Sequence, residues 1–449
     1  MTRRSRTILI IGVASAITAI ACYFLYPSST PTPASTTKEK ELTERFARQF
    51  GAGQYAAAAQ TARDQVELAR LTFGEDDPRL GTPLNELAAA YLFQDQFDLA
   101  EPLFDQALAF FEREDDPKPE RIAAVLNNRA LLYSRQSRLE ESADDYRRAA
   151  DLFEKEHGRE HPDVATALSN LAMVRRDQAR YAEAGRLADS SLSIRVRTLG
   201  PDHVETASSY QLLGTILASE TRFDAAESAY RKALEILDAQ ENLNPDHLSS
   251  TLNALAGLYM LRDEWTKAEP VARRALDLAI ETNGRNHHSV AGISINLARI
   301  QRGLNRDAEA ESLYRQGLVV SESALGPDHP NVANALAGLG GIYSGRGQHA
   351  EAAPLLERAI EILERTHGSD TLNVASTLLT SGQALLANGE HARAEERFKR
   401  ALGIYETAYG PDHEYVALTL DHLRSLYTAM GKPGEARAMS ERAAAIRAK

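Results

Sequence analysis

Cysteine is almost missing from this chain: of 449 residues, Cys22 alone carries a thiol. Everything downstream of it folds without disulfides, whatever the redox compartment. The sequence signatures of several catalytic sites are missing as well. No Gly-rich phosphate cradle, zinc-protease helix or nucleophile elbow occurs. Positive charge is in deficit, with 51 Lys and Arg against 63 Asp and Glu and a formal charge of −12. Such a body repels phosphates, which argues against a nucleic-acid partner. Aromatic residues make up only 6%.

Long apolar runs are rare, and one stands out, residues 7–26. It has about the length needed to cross a bilayer as a transmembrane or signal helix. Arg3, Arg4 and Arg6 precede it with no acid. The positive-inside rule then keeps residues 1–6 in the cytoplasm and puts the body on the far side of the membrane, the periplasmic face in a bacterium. Three fates are open. The segment stays as a signal anchor, which the apolar continuation through Tyr23, Phe24, Leu25 and Tyr26 favours. It is cleaved after Ala21, at the small-x-small site Ala19-Ile20-Ala21, and the body is secreted. Or it is lipidated at Cys22, since Ala19-Ile20-Ala21-Cys22 resembles a bacterial lipobox with Ala19 in place of a larger aliphatic residue. Residues 27–37, PSSTPTPASTT, form a tether unable to bury a core.

From residue 38 to 449 the chain repeats itself. In the unit that opens with Gly326-Pro327-Asp328-His329-Pro330, Asp328 is placed to accept from the first free amides of a helix. Val332, Ala333, Leu336, Leu339, Gly340 and Tyr343 then give one apolar face at helical spacing. Gly345-Arg346-Gly347 breaks that helix, and Ala352, Leu355, Leu356, Ala359, Ile360 and Ile362 form a second stripe. Steps of 42 residues reproduce the pattern, so units start near 38, 74, 116, 158, 200, 242, 284, 326, 368 and 410. Asp116 and Asn242 replace the opening glycine, and both tolerate a left-handed backbone. Twenty-six residues into each complete unit stands Ala or Ser, small enough for two helices to cross closely. Thirteen residues in stands Leu, except at Arg129 and Ser381. Arg129 is expected to run its stem along the core edge, the alternative being a turn into a groove beside Asn127 and Asn128. Ser381 and Arg424 loosen the last two units, so the C-terminal end is expected to be softer. A fixed period of this size means an all-α solenoid of about ten hairpins, each too small to stand without neighbours.

Large, Leu, Gly/Ala and Tyr, then Ala, aromatic and Ala, at these offsets resemble tetratricopeptide repeats. The long period, Asn127-Asn128, Asn253-Ala254-Leu255 and Pro327-Asp328-His329-Pro330 resemble the kinesin-light-chain variety. The resemblance implies a right-handed superhelical array whose first helices line a concave groove that binds protein partners. Positions 11, 12, 15 and 18 of each unit would face it. They include Asn85, Asn127, Asn128, Asn170, Asn253 and Asn296, with Arg176, Arg299 and Arg302. An amide offers donor and acceptor together and so suits the backbone of an extended peptide, and arginine suits a carboxylate. The competing reading is that the asparagines bond to the next repeat or face solvent.

No catalytic residue, cofactor or metal site is expected. His161, His203, His287, His329 and His413 hold equivalent places in different repeats, too far apart to share an ion, and are read as local contacts at helix starts. The function expected is a membrane-tethered scaffold holding an extended segment of another protein. One alternative is an array that self-associates into a homo-oligomer through its last hairpin. The least favoured is an accessory or regulatory subunit of a cell-envelope enzyme.

Overall fold

The computed structural model describes residues 37–114, 116–240 and 245–448. The apolar run 7–26, Cys22 and Asn242 lie outside the described residues. Among the described residues no helix is long and apolar enough to cross a membrane, and no strand occurs. Twenty α-helices succeed one another in hairpins. The first ten are α1 (Thr37–Gly51), α2 (Tyr55–Phe73), α3 (Gly81–Leu92), α4 (Phe97–Glu112), α5 (Pro119–Arg135), α6 (Leu139–His157), α7 (Pro162–Asp177), α8 (Tyr181–Thr198), α9 (Val204–Ser219) and α10 (Phe223–Asp238). The second ten are α11 (Pro245–Leu261), α12 (Trp265–Asn283), α13 (His288–Gly303), α14 (Asp307–Leu325), α15 (Pro330–Gly345), α16 (His349–His367), α17 (Leu372–Ala387), α18 (His391–Tyr409), α19 (Glu414–Ala429) and α20 (Pro433–Arg447). The chain divides into two compact units, one ending at Ile236 and the other beginning at Leu237.

The repeat positions behave as the spacing predicts. Ala100, Ser142, Ala184, Ala226, Ala268, Ala310, Ala352 and Ala394 are completely buried, and Ala436 nearly so. Where glycine stands fourteen residues into a unit, contact requires it. A Cβ on Gly340 would lie 2.6 Å from Leu356, and one on Gly382 would lie 2.5 Å from Phe398.

Helix starts are made differently from the expectation. Asp328 does not cap α15; it pairs with Arg365 at 2.6 Å. The cap is His329, whose Nδ1 accepts from the Asn331 amide at 3.1 Å. His161, His203, His287 and His413 repeat the device on α7, α9, α13 and α19. A neutral imidazole has one bare ring nitrogen, and here it takes the place usual for a serine or aspartate oxygen. The local reading of these histidines is what the structure shows.

The glycines that open the units carry a second correction. Gly74, Gly158, Gly284, Gly326, Gly368 and Gly410 have φ between 79° and 97° with ψ between 161° and 168°. That combination is essentially reserved to glycine, unlike the left-handed helical region that Asn and Asp tolerate. The left-handed helical residue sits instead in the turn inside each hairpin. Gly53, Gly347, Gly389 and Gly431 hold it in four units, and Asp95, Ser137, Ala179, Thr221, Asp263 and Asn305 hold it in six, at φ of 57° to 61° for these.

Arg129 neither follows the core edge to water nor turns beside Asn127. Its Nε and Nη2 donate to the two carboxylate oxygens of Asp145 on α6, each at 2.8 Å, and Nη1 donates to Asp105 on α4 at 2.7 Å. Position 29, where Asp145 stands, is Leu103, Leu187, Leu313 or Leu355 in other units. A Leu–Leu contact across the hairpin has been exchanged for a bidentate ion pair. Ser381 leaves its Oγ buried with no partner among the described residues, and Arg424 pairs with Asp421 at 3.6 Å.

Candidate peptide-binding groove

Within the second compact unit, α13, α15 and α17 bring their exposed faces together around an open depression of about 380 Å³. Arg302, Ala337, Gly341, Ser344, Gly345, His349, Thr380 and Gln383 line it. Six of these eight stand at positions 11, 12, 15 or 18 of their units, the set expected to face a groove. Two glycines of α15 admit side chains from the preceding hairpin, and only Gly341 belongs to the lining. A Cβ on Gly338 would lie 2.3 Å from the Tyr314 ring, and one on Gly341 would lie 2.8 Å from Nη1 of Arg302. The arginine therefore lies across a glycine, with its guanidinium supported by a hydrogen bond to Tyr314.

Arg299 stands one turn before Arg302. Burial holds its guanidinium below the ordinary arginine value; Tyr314 opposes that shift and the positive charge of Arg302 adds to it. Most arginines of this chain with a shift are raised by a carboxylate, as Arg273 is by Glu309 and Glu269. The far edge of the depression is polar. Gln383 Nε2 lies 3.0 Å from Nε2 of His422, and the Ser344 hydroxyl lies 3.5 Å from Nδ1 of His349.

The asparagines form a ladder between repeats. Asn128 Nδ2 donates to Asn85 Oδ1 at 3.1 Å in the first compact unit, and Asn296 Nδ2 donates to Asn253 Oδ1 at 3.0 Å in the second. Each link joins position 11 of one repeat to position 12 of the next. It uses one donor and one acceptor direction of amides that have two of each. Asn127 and Asn170 hold the corresponding places between them, half-buried, and Asn127 Oδ1 is buried with no partner among the described residues. Arg176 bends onto its neighbour Asp177, donating from Nε at 3.0 Å and Nη2 at 2.6 Å. Its fork is thereby turned from the role of a groove arginine.

A second repeated contact carries no groove role. Position 17, a recurrent tyrosine, reaches a glutamate at position 27 of the preceding unit. Tyr343 donates to Glu311 at 3.1 Å, Tyr427 to Glu395 at 2.9 Å, and Gln301 replaces the tyrosine to reach Glu269 at 3.0 Å. These bonds hold one hairpin to the next. The tyrosines were visible in the sequence; their partners were not, because each glutamate sits among many on polar helix faces.

Repeat length, hairpin geometry and close-packed small positions agree with one family model, the tetratricopeptide repeat, which matches residues 49–113, 121–184, 163–239, 247–320, 309–365 and 373–449. The chain belongs to the tetratricopeptide-repeat family. No curated protein matches it. Among solved structures it is similar to BtubC (BKLC) from P. vanneervenii, at 25% identity over 56% of this chain and 94% of that one, with a TM-score of 0.42. A putative kinesin light chain with nearly identical TPR-like repeats from Podosopora anserina is 24% identical over 46% of this chain and 98% of that one, with a TM-score of 0.40. The apo form of the quorum sensor NprR from B. thuringiensis shares the fold at 13% identity, covering 82% and 99% of the two chains with a TM-score of 0.54.

Proposed function

We propose that this tetratricopeptide-repeat chain is a scaffold that holds an extended segment of another protein along its first-helix faces, with an acidic group of that segment at Arg302. The observation that carries the reading is the depression over Gly341, lined by Arg302 and mostly by residues at positions 11, 12, 15 and 18. Glycine inside a helix costs stability, so its presence on an outward face calls for a reason other than helix formation. Room for the Arg302 guanidinium to lie against the helix at Gly341 is such a reason. The Asn253–Asn296 link of the same compact unit adds amide directions for the backbone of an extended guest. In this reading the chain binds and does not catalyse, and residues 7–26 hold it to a membrane.

The test is selection of extended peptides from a displayed library against the full chain in detergent. Peptides with an acidic residue should be enriched. Arg302→Glu should weaken their retention by about tenfold or more with helicity unchanged, because a charge-assisted fork becomes a repulsion. Asn253→Ala, in the same compact unit, should weaken retention less. Equal retention by the parent and Arg302→Glu would move binding to another surface.

A further inference from the structure

Between α6 and α7 the chain turns through Gly158, and this corner differs chemically from its counterparts. Three positions meet at each such corner: the residue before the opening glycine, the cap three residues after it, and the residue two beyond the cap. At Gly200 they are Leu199, His203 and Glu205; at Gly326 they are Leu325, His329 and Asn331. At Gly410 they are Tyr409, His413 and Tyr415, whose rings stack with centroids 4.3 to 5.9 Å apart. At Gly158 they are His157, His161 and Asp163, and all three bear metal-ligating atoms.

Geometry brings those atoms together. The His157 and His161 ring centroids are 4.4 Å apart. Nδ1 of His161 lies 3.3 Å from Oδ2 of Asp163, and Nε2 of His157 lies 3.9 Å from the same oxygen. One ligand atom from each of the three residues falls within 4.8 Å of the others. Two ligands held about 2.0–2.1 Å from a tetrahedral ion are separated by roughly 3.3 Å. One edge already has that length, and the others close by small rotations of exposed or half-buried imidazoles. Asp163 is the fixed member, its side chain only 3% exposed. Phe153 stacks on His157 from within α6 and sets the plane of that ring.

We propose that this corner binds one borderline divalent cation, Zn²⁺ in type, through His157, His161 and Asp163, with a fourth position open to water. Two imidazole nitrogens and one carboxylate oxygen suit such an ion better than Ca²⁺ or Mg²⁺, which favour all-oxygen sites. Two features limit affinity. The positive end of the α7 dipole opposes a cation, which the buried Asp163 offsets. Binding at Nδ1 also takes the lone pair with which His161 caps the Asp163 amide at 3.2 Å. The site is therefore of moderate strength. It joins the end of one hairpin to the start of the next, so occupancy would stiffen the junction between repeats. It is independent of the groove.

Co²⁺ is a suitable probe, because its visible absorption reports low-symmetry coordination. The full chain in detergent, carrying Cys22→Ser to remove the thiol, should take up one equivalent of Co²⁺, and Zn²⁺ should displace it. His157→Leu and Asp163→Asn introduce residues that equivalent corners of this chain already carry, so both variants should fold. Each should weaken Co²⁺ binding by about tenfold or more. His413→Asn, at the aromatic corner, should leave it unchanged. Zn²⁺ should raise the Tm of the parent and leave that of the His157→Leu, Asp163→Asn double variant in place. No bound equivalent in the parent, or the same affinity in the double variant, would overturn the site.

Discussion

Single residues depart from the repeat where burial and charge conflict, and Glu86 is the clearest case. It stands at position 12 of its unit, where Asn128, Asn170 and Asn296 stand in others, but it is only 6% exposed. Burial pushes its carboxyl up to about 7, opposed by a hydrogen bond with Gln65. Glu86 Oε2 and Gln65 Oε1 are both buried acceptors with no partner among the described residues, so one proton on Glu86 supplies a missing donor. Its folded-state pKa is raised above the ordinary 4.5, so the folded state keeps a proton that the unfolded chain has released. Stability from this group is then lost as pH rises from about 4.5 to 7, by up to about 1.4 kcal/mol per pH unit. Glu86→Gln should remove that slope and stabilise the protein at pH 8 by as much as about 3 kcal/mol. Denaturant midpoints of parent and variant at pH 5 and pH 8 check this, and parallel midpoints would refute it. His288, held down to about 4 chiefly by burial, has the opposite sign, with stability lost as pH falls through 6.5 towards 4. The difference between parent and variant isolates Glu86. The sequence could not show this, since a glutamate at a face position reads as solvated until its neighbours are known.

Paired helices explain what one position cannot. Arg129 read alone is a charge in a leucine column, and both ways of removing it to solvent or groove were reasonable. Read with Asp145, sixteen residues later in the second helix of the same hairpin, it is half of an exchange. Both column members changed, and the fork of Arg129 took both oxygens of Asp145. That signal lay in the sequence, because Asp145 also breaks a mostly apolar column; comparing both columns would have found it. The two side chains keep 18% and 10% of their exposure, so the pair is largely desolvated. Removing one partner from a buried pair costs about 3–5 kcal/mol, whereas replacing both with apolar groups that fit is often neutral or stabilising. Arg129→Leu should therefore destabilise by about 3 kcal/mol, at the low end of that range because the pair is not fully dry. Adding Asp145→Leu should recover most of the loss by rebuilding the Leu–Leu contact of the other hairpins. A double-mutant cycle on unfolding free energies measures the coupling. Additive losses would mean that Arg129 is held by Asp105 and the Tyr133 ring rather than by Asp145.

The molecule as a whole was legible to the extent that repetition could average out local exceptions. Ten copies made the period, the hairpin and the small crossing positions unambiguous, since one misfit residue among nine cannot hide a column. The contents of the groove were less legible. Six of the eight residues lining the depression stand at the expected positions, but of the named candidates only Arg302 is among them; Asn85, Asn128, Asn253 and Asn296 bond across repeats and Arg176 bonds its neighbour. Gly341 inside α15 gives Arg302 the room to lie against that helix. The segment before the array follows other physics, for residues 7–26 have no repeat to compare with, and hydropathy and flanking charge are the whole of the argument. The proposed membrane anchor rests on an apolar run of bilayer length behind three arginines, for which the positive-inside rule places the start in the cytoplasm. The apolar stretch continues through Tyr26, beyond both alternative processing points, so cutting there would divide a hydrophobic segment and leave Tyr23, Phe24, Leu25 and Tyr26 on the mature end. The mature protein, isolated from membranes that resist alkaline carbonate extraction, should accordingly have an intact mass that includes residues 1–26. A mass lacking residues 1–21 would mean cleavage after Ala21 and a secreted array. The same loss with an added acyl-glycerol mass would place the anchor on Cys22, and Cys22→Ser would then release the body from the membrane.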